Sequence, residues 1–265
     1  MARSPFMYDL MMKFYPLSRL WDRLPFRRRR ESVENTSVHL IPLNLSAGSG
    51  ESVALPMTII RALIIRAGTV AVMRECLCRR GEKCKSFPAD TGCLLLGSAA
   101  LDLHPGLGRL VTVDEALAHA ASALEMGLLP TVVHNEFDAW LWGINYRRML
   151  NVCFCCECCC SLRRDLRERN SEGFFRNVHR LPGLSVRVTD DCDGCGACVD
   201  VCMSRAIYME QGRARINDEN CKGCGRCVSM CPQSAIRMEG DNSVDSVQLI
   251  LEHYMGRVSI GEAGE

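Results

Sequence analysis

The sequence predicts an α+β protein: a helix-rich, cysteine-rich α+β domain, followed by a smaller module in which a strand, loop, short helix, strand unit occurs twice. Three observations carry this reading. Cys192, Cys195, Cys198 and Cys202 recur 29 residues later as Cys221, Cys224, Cys227 and Cys231, and Ala-Ile-Tyr-Met-Glu at 206–210 recurs as Ala-Ile-Arg-Met-Glu at 235–239. Self-similarity at a fixed period marks two copies of one supersecondary unit. Upstream, apolar residues fall at three- and four-residue steps between helix start and stop signals. The length, 265 residues, has room for one large domain or two ordinary ones.

Residues 1–50 read as an amphipathic and basic appendage. Met7, Leu10, Met11, Phe14, Leu17, Leu20, Trp21 and Leu24 keep helical spacing, Pro16 interrupts a single helix, and four arginines fill 27–30. Such a segment packs on its own domain, docks a partner, or touches a membrane surface through residues 1–30. Ser-Ala-Gly-Ser-Gly at 46–50 reads as a loop. Residues 51–175 form the cysteine-rich domain. Pro56 suits a first helical turn, Ile59, Ile60, Leu63 and Ile64 continue the helix to about Ala67, and Gly68 ends it. Thr112 with Glu115 three residues later is a capping box that opens a helix carrying Ala116, Leu117, Ala120 and Leu124 and stopping at Gly127. Residues 129–133 and 149–154 have strand character, which predicts a small hairpin and leaves a winged-helix-like arrangement open. The repeat occupies 184–240. Residues 241–265 form a helix with Val244, Val247, Leu251 and Tyr254 on one face, then a Gly- and Glu-containing tail.

Bulk properties confine function to local sites. Thirty-two basic and 31 acidic residues give a net charge of +1, so no overall field draws the chain to nucleic acid. Asp9, Lys13 and Pro16 break up the only signal-like start, and the apolar stretch 53–73 carries Arg61 and Arg66 near its centre. The chain therefore reads as cytoplasmic and not membrane-spanning. Cysteine is the outlier: 18 in 265 residues is a density typical of short secreted disulfide scaffolds, a class this chain is too long for. The thiols read as metal ligands.

In each half of the repeat, three cysteines at two-residue spacing precede a fourth after three more, so a tight loop aims three thiolates at one centre and the fourth reaches across. This arrangement resembles the bacterial two-[4Fe–4S] ferredoxin domain, with its duplicated (βαβ)2 two-cluster fold, over about 60 residues. The resemblance implies one cluster on Cys192, Cys195, Cys198 and Cys231, and a second on Cys221, Cys224, Cys227 and Cys202. Gly194, Gly196, Gly223 and Gly225 then let backbone N–H groups approach the sulfurs. Pro232 follows Cys231 as the motif expects, whereas Met203 follows Cys202. Zinc is the competing occupant, since Cys-x-x-Cys pairs also build zinc ribbons.

Ten more cysteines fall in two groups: Cys76, Cys78, Cys84 and Cys93, then Cys153, Cys155, Cys156, Cys158, Cys159 and Cys160. Ten unoccupied thiols in so short a span would be an oxidation hazard, so at least one additional cluster is expected here, with core filling or zinc as the alternative for individual residues. Arg74, Arg79, Arg80, Lys83 and Lys85 surround the first group and would offset its negative charge. Adjacent cysteines project in different directions, so Cys158, Cys159 and Cys160 do not all ligate one cube. The Cys-x-Cys-Arg element, the capped helix and the cysteine block ahead of a two-cluster module together resemble a family of 4Fe–4S dicluster proteins of anaerobes over about 40–240; that resemblance implies redox work and no particular substrate.

Other motifs are weaker. The six histidines, His39, His104, His119, His134, His179 and His253, show no mutual ligand spacing. His119 reads as a boundary residue, and His134 with Asn135, Glu136 and Asp138 as a polar loop. Gly106-Leu-Gly108 lacks the setting of a dinucleotide fingerprint, and no phosphate loop is present, so neither flavin nor nicotinamide is expected. The functional expectation is an electron-transfer protein passing single electrons between donor and acceptor oxidoreductases, without a substrate site of its own. One alternative is an enzyme whose active cluster sits in 76–160 and is fed by the two-cluster module; another is a redox-sensing regulator.

Overall fold

The computed structural model describes residues 3–15, 35–43, 54–168, 172–241 and 244–259. Its centre is a seven-stranded sheet in the order β4-β2-β3-β6-β5-β1-β7. The strands are β1 (Ser37–Leu40), β2 (Val70–Met73), β3 (Leu94–Leu96), β4 (Gly108–Leu110), β5 (Leu129–His134), β6 (Leu150–Cys155) and β7 (Val178–His179). Neighbours pair antiparallel except β1 and β7, which run parallel.

Both faces of this sheet are covered, which explains its composition. On one face Leu94, Leu96, Val132, Leu150 and Val152 pack with Ile59, Ile60, Leu63 and Ile64 of α2 (Ala54–Ala67) and Ala116 and Ala120 of α4 (Val113–Glu125). On the other, Ala71, Met73, Leu95 and Met149 pack with Tyr8 and Met12 of α1 (Pro5–Lys13) and Ala139, Leu141 and Trp142 of α5 (Glu136–Trp142). Between these helices comes α3 (Leu77–Gly81), against which α1 packs. The Thr112 hydroxyl accepts from Glu115 N–H and the Glu115 carboxylate accepts from Thr112 N–H, so α4 starts at its capping box. Gly68 and Gly127 follow α2 and α4 with positive φ, 68° and 75°.

Three expectations change. The 129–133 and 149–154 strands do pair, as β5 and β6, but within the seven-stranded sheet and not as a separate small hairpin, and among the described residues they form no winged-helix-like wing. The appendage expected over 1–50 does not describe 37–40, since β1 is buried along its whole length between β5 and β7. Leu17, Leu20, Trp21, Leu24, the four arginines at 27–30 and the 46–50 loop lie outside the described residues. Among the described residues, no helix is long and apolar enough to cross a membrane.

After α6 (Ser161–Glu168) and α7 (Glu172–Arg176), the cysteine repeat begins. It runs β8 (Leu184–Val188), α8 (Ala197–Val201), β9 (Ile207–Glu210), β10 (Arg213–Ile216), α9 (Arg226–Met230) and β11 (Ile236–Gly240). β8 pairs antiparallel with β11, and β9 with β10. Gln211 and Gly212, both at positive φ, join β9 to β10 in a two-residue hairpin turn. The last helix, α10 (Ser246–Met255), buries Ile250 and Tyr254 and packs back on α2.

Candidate metal centres

The repeat is visible in the backbone as well as in the cysteines. Gly194 and Gly196 match Gly223 and Gly225 at positive φ, and Arg205 (φ 53°) matches Ser234 (φ 50°). Each fourth cysteine then accepts a backbone hydrogen bond: Ala206 N–H to Cys202 Sγ at 3.1 Å, and Ala235 N–H to Cys231 Sγ at 3.2 Å. Each fourth cysteine is an electrostatic neighbour of thiols in the other half. Burial pushes the Cys198 thiol up, and its charged neighbours acting in the same direction are Cys192, Cys231 and Cys195. Burial pushes Cys224 up to about 11, reinforced by Cys202 and Cys221; Cys227 is raised likewise by burial and then by Cys224, Cys221 and Cys202. Four thiolates gathered in a half-buried pocket repel one another, and bound metal removes that repulsion. Met203, where the second half has the exposed Pro232, is buried at 1%. The departure from the motif thus places an apolar anchor in the core.

Upstream, the structure gathers cysteines from far apart in sequence around a cavity of about 300 Å³ beneath β5, β6 and α3. Cys76, Cys78, Cys93, Cys153, Cys155, Cys156 and Cys160 line it, with Tyr15, Asp138, Ser161 and Arg164. Thiols of Cys160 and Cys76 hydrogen-bond to Cys78 and hold it well below the usual thiol range, with help from Ser161. Cys160 also donates to Cys155 and lowers it. Cys76, Cys78, Cys160 and Cys155 therefore form one connected set. Cys93 and Cys153 lie beside it with sulfurs 3.2 Å apart. Burial pushes the Asp138 carboxyl up to about 6 against the lowering pull of Asn135 and Asn151.

The remaining three, Cys84, Cys158 and Cys159, join Cys156 at the rim, and these four bring their sulfurs within 4.8 Å of one another. Burial works against the Cys84 thiolate, yet the Cys159 thiol, the N–H groups of Phe87 and Ser86 and the Cys158 thiol outweigh it and bring Cys84 down to about 7. All eighteen cysteines are free.

Of the five basic residues expected to balance the upstream thiols, one does so. Arg79 is 1% exposed; its Nη1 donates to Phe154 O at 2.8 Å, its Nη2 donates to Thr91 O, and its Nε is buried without a hydrogen-bond partner. No ion pair to a carboxylate accompanies it among the described residues; its charged neighbours are Cys76, Cys93, Cys156 and Cys155. Arg74 and Arg80 pair instead with Asp9 and Glu75, and Lys83 and Lys85 are exposed. A buried guanidinium whose charged neighbours are all thiols fits an anionic metal–thiolate group, because an uncompensated charge at this depth would be costly.

The two cysteine-rich regions touch. Arg226, at the start of α9 between Cys224 and Cys227, donates from Nη1 to Glu157 Oε2 at 3.1 Å and from Nη2 to Cys155 O at 3.3 Å. Arg167 of α6 donates to Asp200 O at 2.7 Å. Sequence spacing gave no signal for Arg226 or Glu157, because 69 residues separate them.

The histidines also depart from expectation. His134 ends β5 buried and stacks on Tyr146, and Asn135 caps α5 through Asp138 N–H; this is not a polar loop. His119 lies at a boundary, bonded to Gly92 O at 2.8 Å. His39, His179 and His253, far apart in sequence, meet with ring centroids 4.7 to 5.1 Å apart, and His39 shares a 3.0 Å hydrogen bond with Tyr254.

Comparison with protein families matches residues 191–235 to the 4Fe-4S dicluster domain. Comparison with curated proteins and with solved structures finds no match. The chain is thus an iron–sulfur protein with a ferredoxin-like dicluster module.

Proposed function

We propose that the protein is an electron carrier that takes single electrons from one oxidoreductase and delivers them to another in the cytoplasm. The ligand sets would be Cys192, Cys195, Cys198 and Cys231 for one [4Fe–4S] cluster, and Cys221, Cys224, Cys227 and Cys202 for a second, on a duplicated (βαβ)2 module. A third cluster would take Cys76, Cys78, Cys155 and Cys160 around the cavity. When bound, such clusters supply one-electron redox steps between about −700 and +450 mV.

The observation that carries this reading is the Arg226 clamp. It ties the backbone of Cys155, a ligand in the upstream set, to the loop between Cys224 and Cys227, ligands in the downstream set. Two metal sites so joined share one rigid path. Arg79 balances the charge of the upstream set, and Cys195, the exposed member of the first set, marks the end open to a partner. The test is an anaerobic iron and acid-labile sulfide count on the reconstituted full chain, with low-temperature EPR after reduction. About twelve irons and three reducible signals are expected, at four irons per cube. About eight would remove the upstream cluster.

The cavity favours a second reading, an enzyme with an open cluster position. Half-buried Asp138, Tyr15 and Arg164 line the same space and could hold a small molecule or move a proton. A change in the EPR spectrum on adding cyanide or another small ligand would support it; a saturated carrier shows none.

A further inference from the structure

The ten upstream cysteines divide by direction. Cys155 and Cys160 turn inward to Cys78, whereas Cys158 and Cys159 turn outward to meet Cys84. Cys84 and Cys158 sulfurs are 3.4 Å apart, those of Cys158 and Cys159 3.5 Å apart, and all four including Cys156 lie within 4.8 Å. A single tetrahedral ion with metal–sulfur bonds of about 2.3 Å holds its four sulfurs about 3.8 Å from one another.

The backbone is shaped for the same purpose. Cys159 N–H donates to Cys156 Sγ at 3.4 Å, closing a turn around the sulfur, and the N–H groups of Phe87 and Ser86 donate to Cys84. Such N–H···S bonds fix the direction of a thiolate and stabilise its charge. Cys156 is buried while Cys158 is exposed, so the group has an inner anchor and an entry from solvent.

We propose that Cys84, Cys156, Cys158 and Cys159 form a closed, mononuclear four-thiolate site for a divalent metal of the zinc class, separate from every cluster. It would staple the loop after α3 to the turn after β6, bridging 74 positions between Cys84 and Cys158, and so brace the wall of the cavity. Binding releases the protons that the four thiols still hold. The inference does not depend on the electron-carrier reading, because it concerns a different set of sulfurs.

The experiment is a cobalt titration of the full chain, purified anaerobically, with zinc, iron and sulfide measured on the same sample. One equivalent of zinc should be present, and one Co²⁺ should replace it with the intense d–d and sulfur-to-cobalt charge-transfer bands of a tetrahedral tetrathiolate. C158S alters an exposed position and should keep the fold; C84S is the independent second variant. Each should weaken Co²⁺ binding at least tenfold and leave iron and sulfide unchanged. Loss of iron and sulfide together in either variant would make these residues cluster ligands and overturn the proposal. So would absence of the cobalt spectrum, or a Cys84–Cys158 disulfide in protein kept anaerobic. Failure of the third cluster is read separately, in the iron count of the unmodified chain.

Discussion

Arg79 offers the sharpest test of the upstream site, because the effect of removing it should depend on whether metal is bound. Arg79→Met keeps the length of the side chain while deleting the charge and the two donors to Phe154 O and Thr91 O. With metal and deprotonated thiols in place, the deletion also removes the attraction between the guanidinium and the net negative charge of the upstream thiolates beside it, Cys76, Cys93, Cys156 and Cys155 being its charged neighbours. At contact range of about 4–5 Å and an effective dielectric of about 20, one unit of negative charge attracts the cation by about 3–4 kcal/mol. In metal-free protein with protonated thiols that attraction is absent, and relief of the buried cation's desolvation offsets the lost hydrogen bonds. The expected coupling between mutation and metal is therefore about 3 kcal/mol, or roughly 6–12 °C in Tm for a chain of this size. Anaerobic thermal unfolding of both proteins, reconstituted and stripped, measures it. Equal destabilisation by R79M in the two states would refute the idea that Arg79 faces an anionic metal group.

Two other expectations concern the scaffold. Thr112→Ala removes one half of the capping box of α4 and should cost about 1 kcal/mol in urea unfolding, while Thr112→Ser should cost little; no difference between the two would sink that account. His39, pushed down to about 3 chiefly by burial and then by His253, His179 and Arg257, is neutral in the folded protein and titrates near 6.5 when unfolded. Protonation thus favours the unfolded chain: stability is full above pH 6.5 and declines as pH falls toward the folded value. At pH 5 the contribution is about 2 kcal/mol. Comparing urea midpoints at pH 7.5 and 5.0, His39→Asn should lose stability with acid less steeply than the unmodified chain, and parallel losses would exclude His39 as the cause.

The sequence was most informative where structure is local. The capping box, the glycine after each long helix and the 29-residue repeat each act within a few turns of backbone, and each is found at its expected residues. The central sheet was largely hidden. β1, β2 and β3 are three or four residues long and buried on both faces, so Leu94, Leu95 and Leu96 show no alternation of apolar and polar positions. The upstream cysteines were recognisable as ligands, but their sorting was not. That sorting follows from β6 pairing with β3 and β5, which brings the 155–160 turn to α3. Arg79 resembles its neighbours Arg74 and Arg80 in sequence, and only the fold shows that it alone turns inward.

The chain enters the dicluster module from β7 and returns from it through α10, and both flanks are fastened to the same strand. β7 pairs with β1, while Tyr254 donates to Ser37 O and Val132 O, and His253 Nε2 lies 2.8 Å from Ser37 Oγ. A module tethered at one end can swing like an arm between a loading and an unloading position. This one is gripped at both ends, so under the proposed carrier role it would conduct as a fixed element, with a partner coming to the exposed Cys195 rather than the module travelling to it.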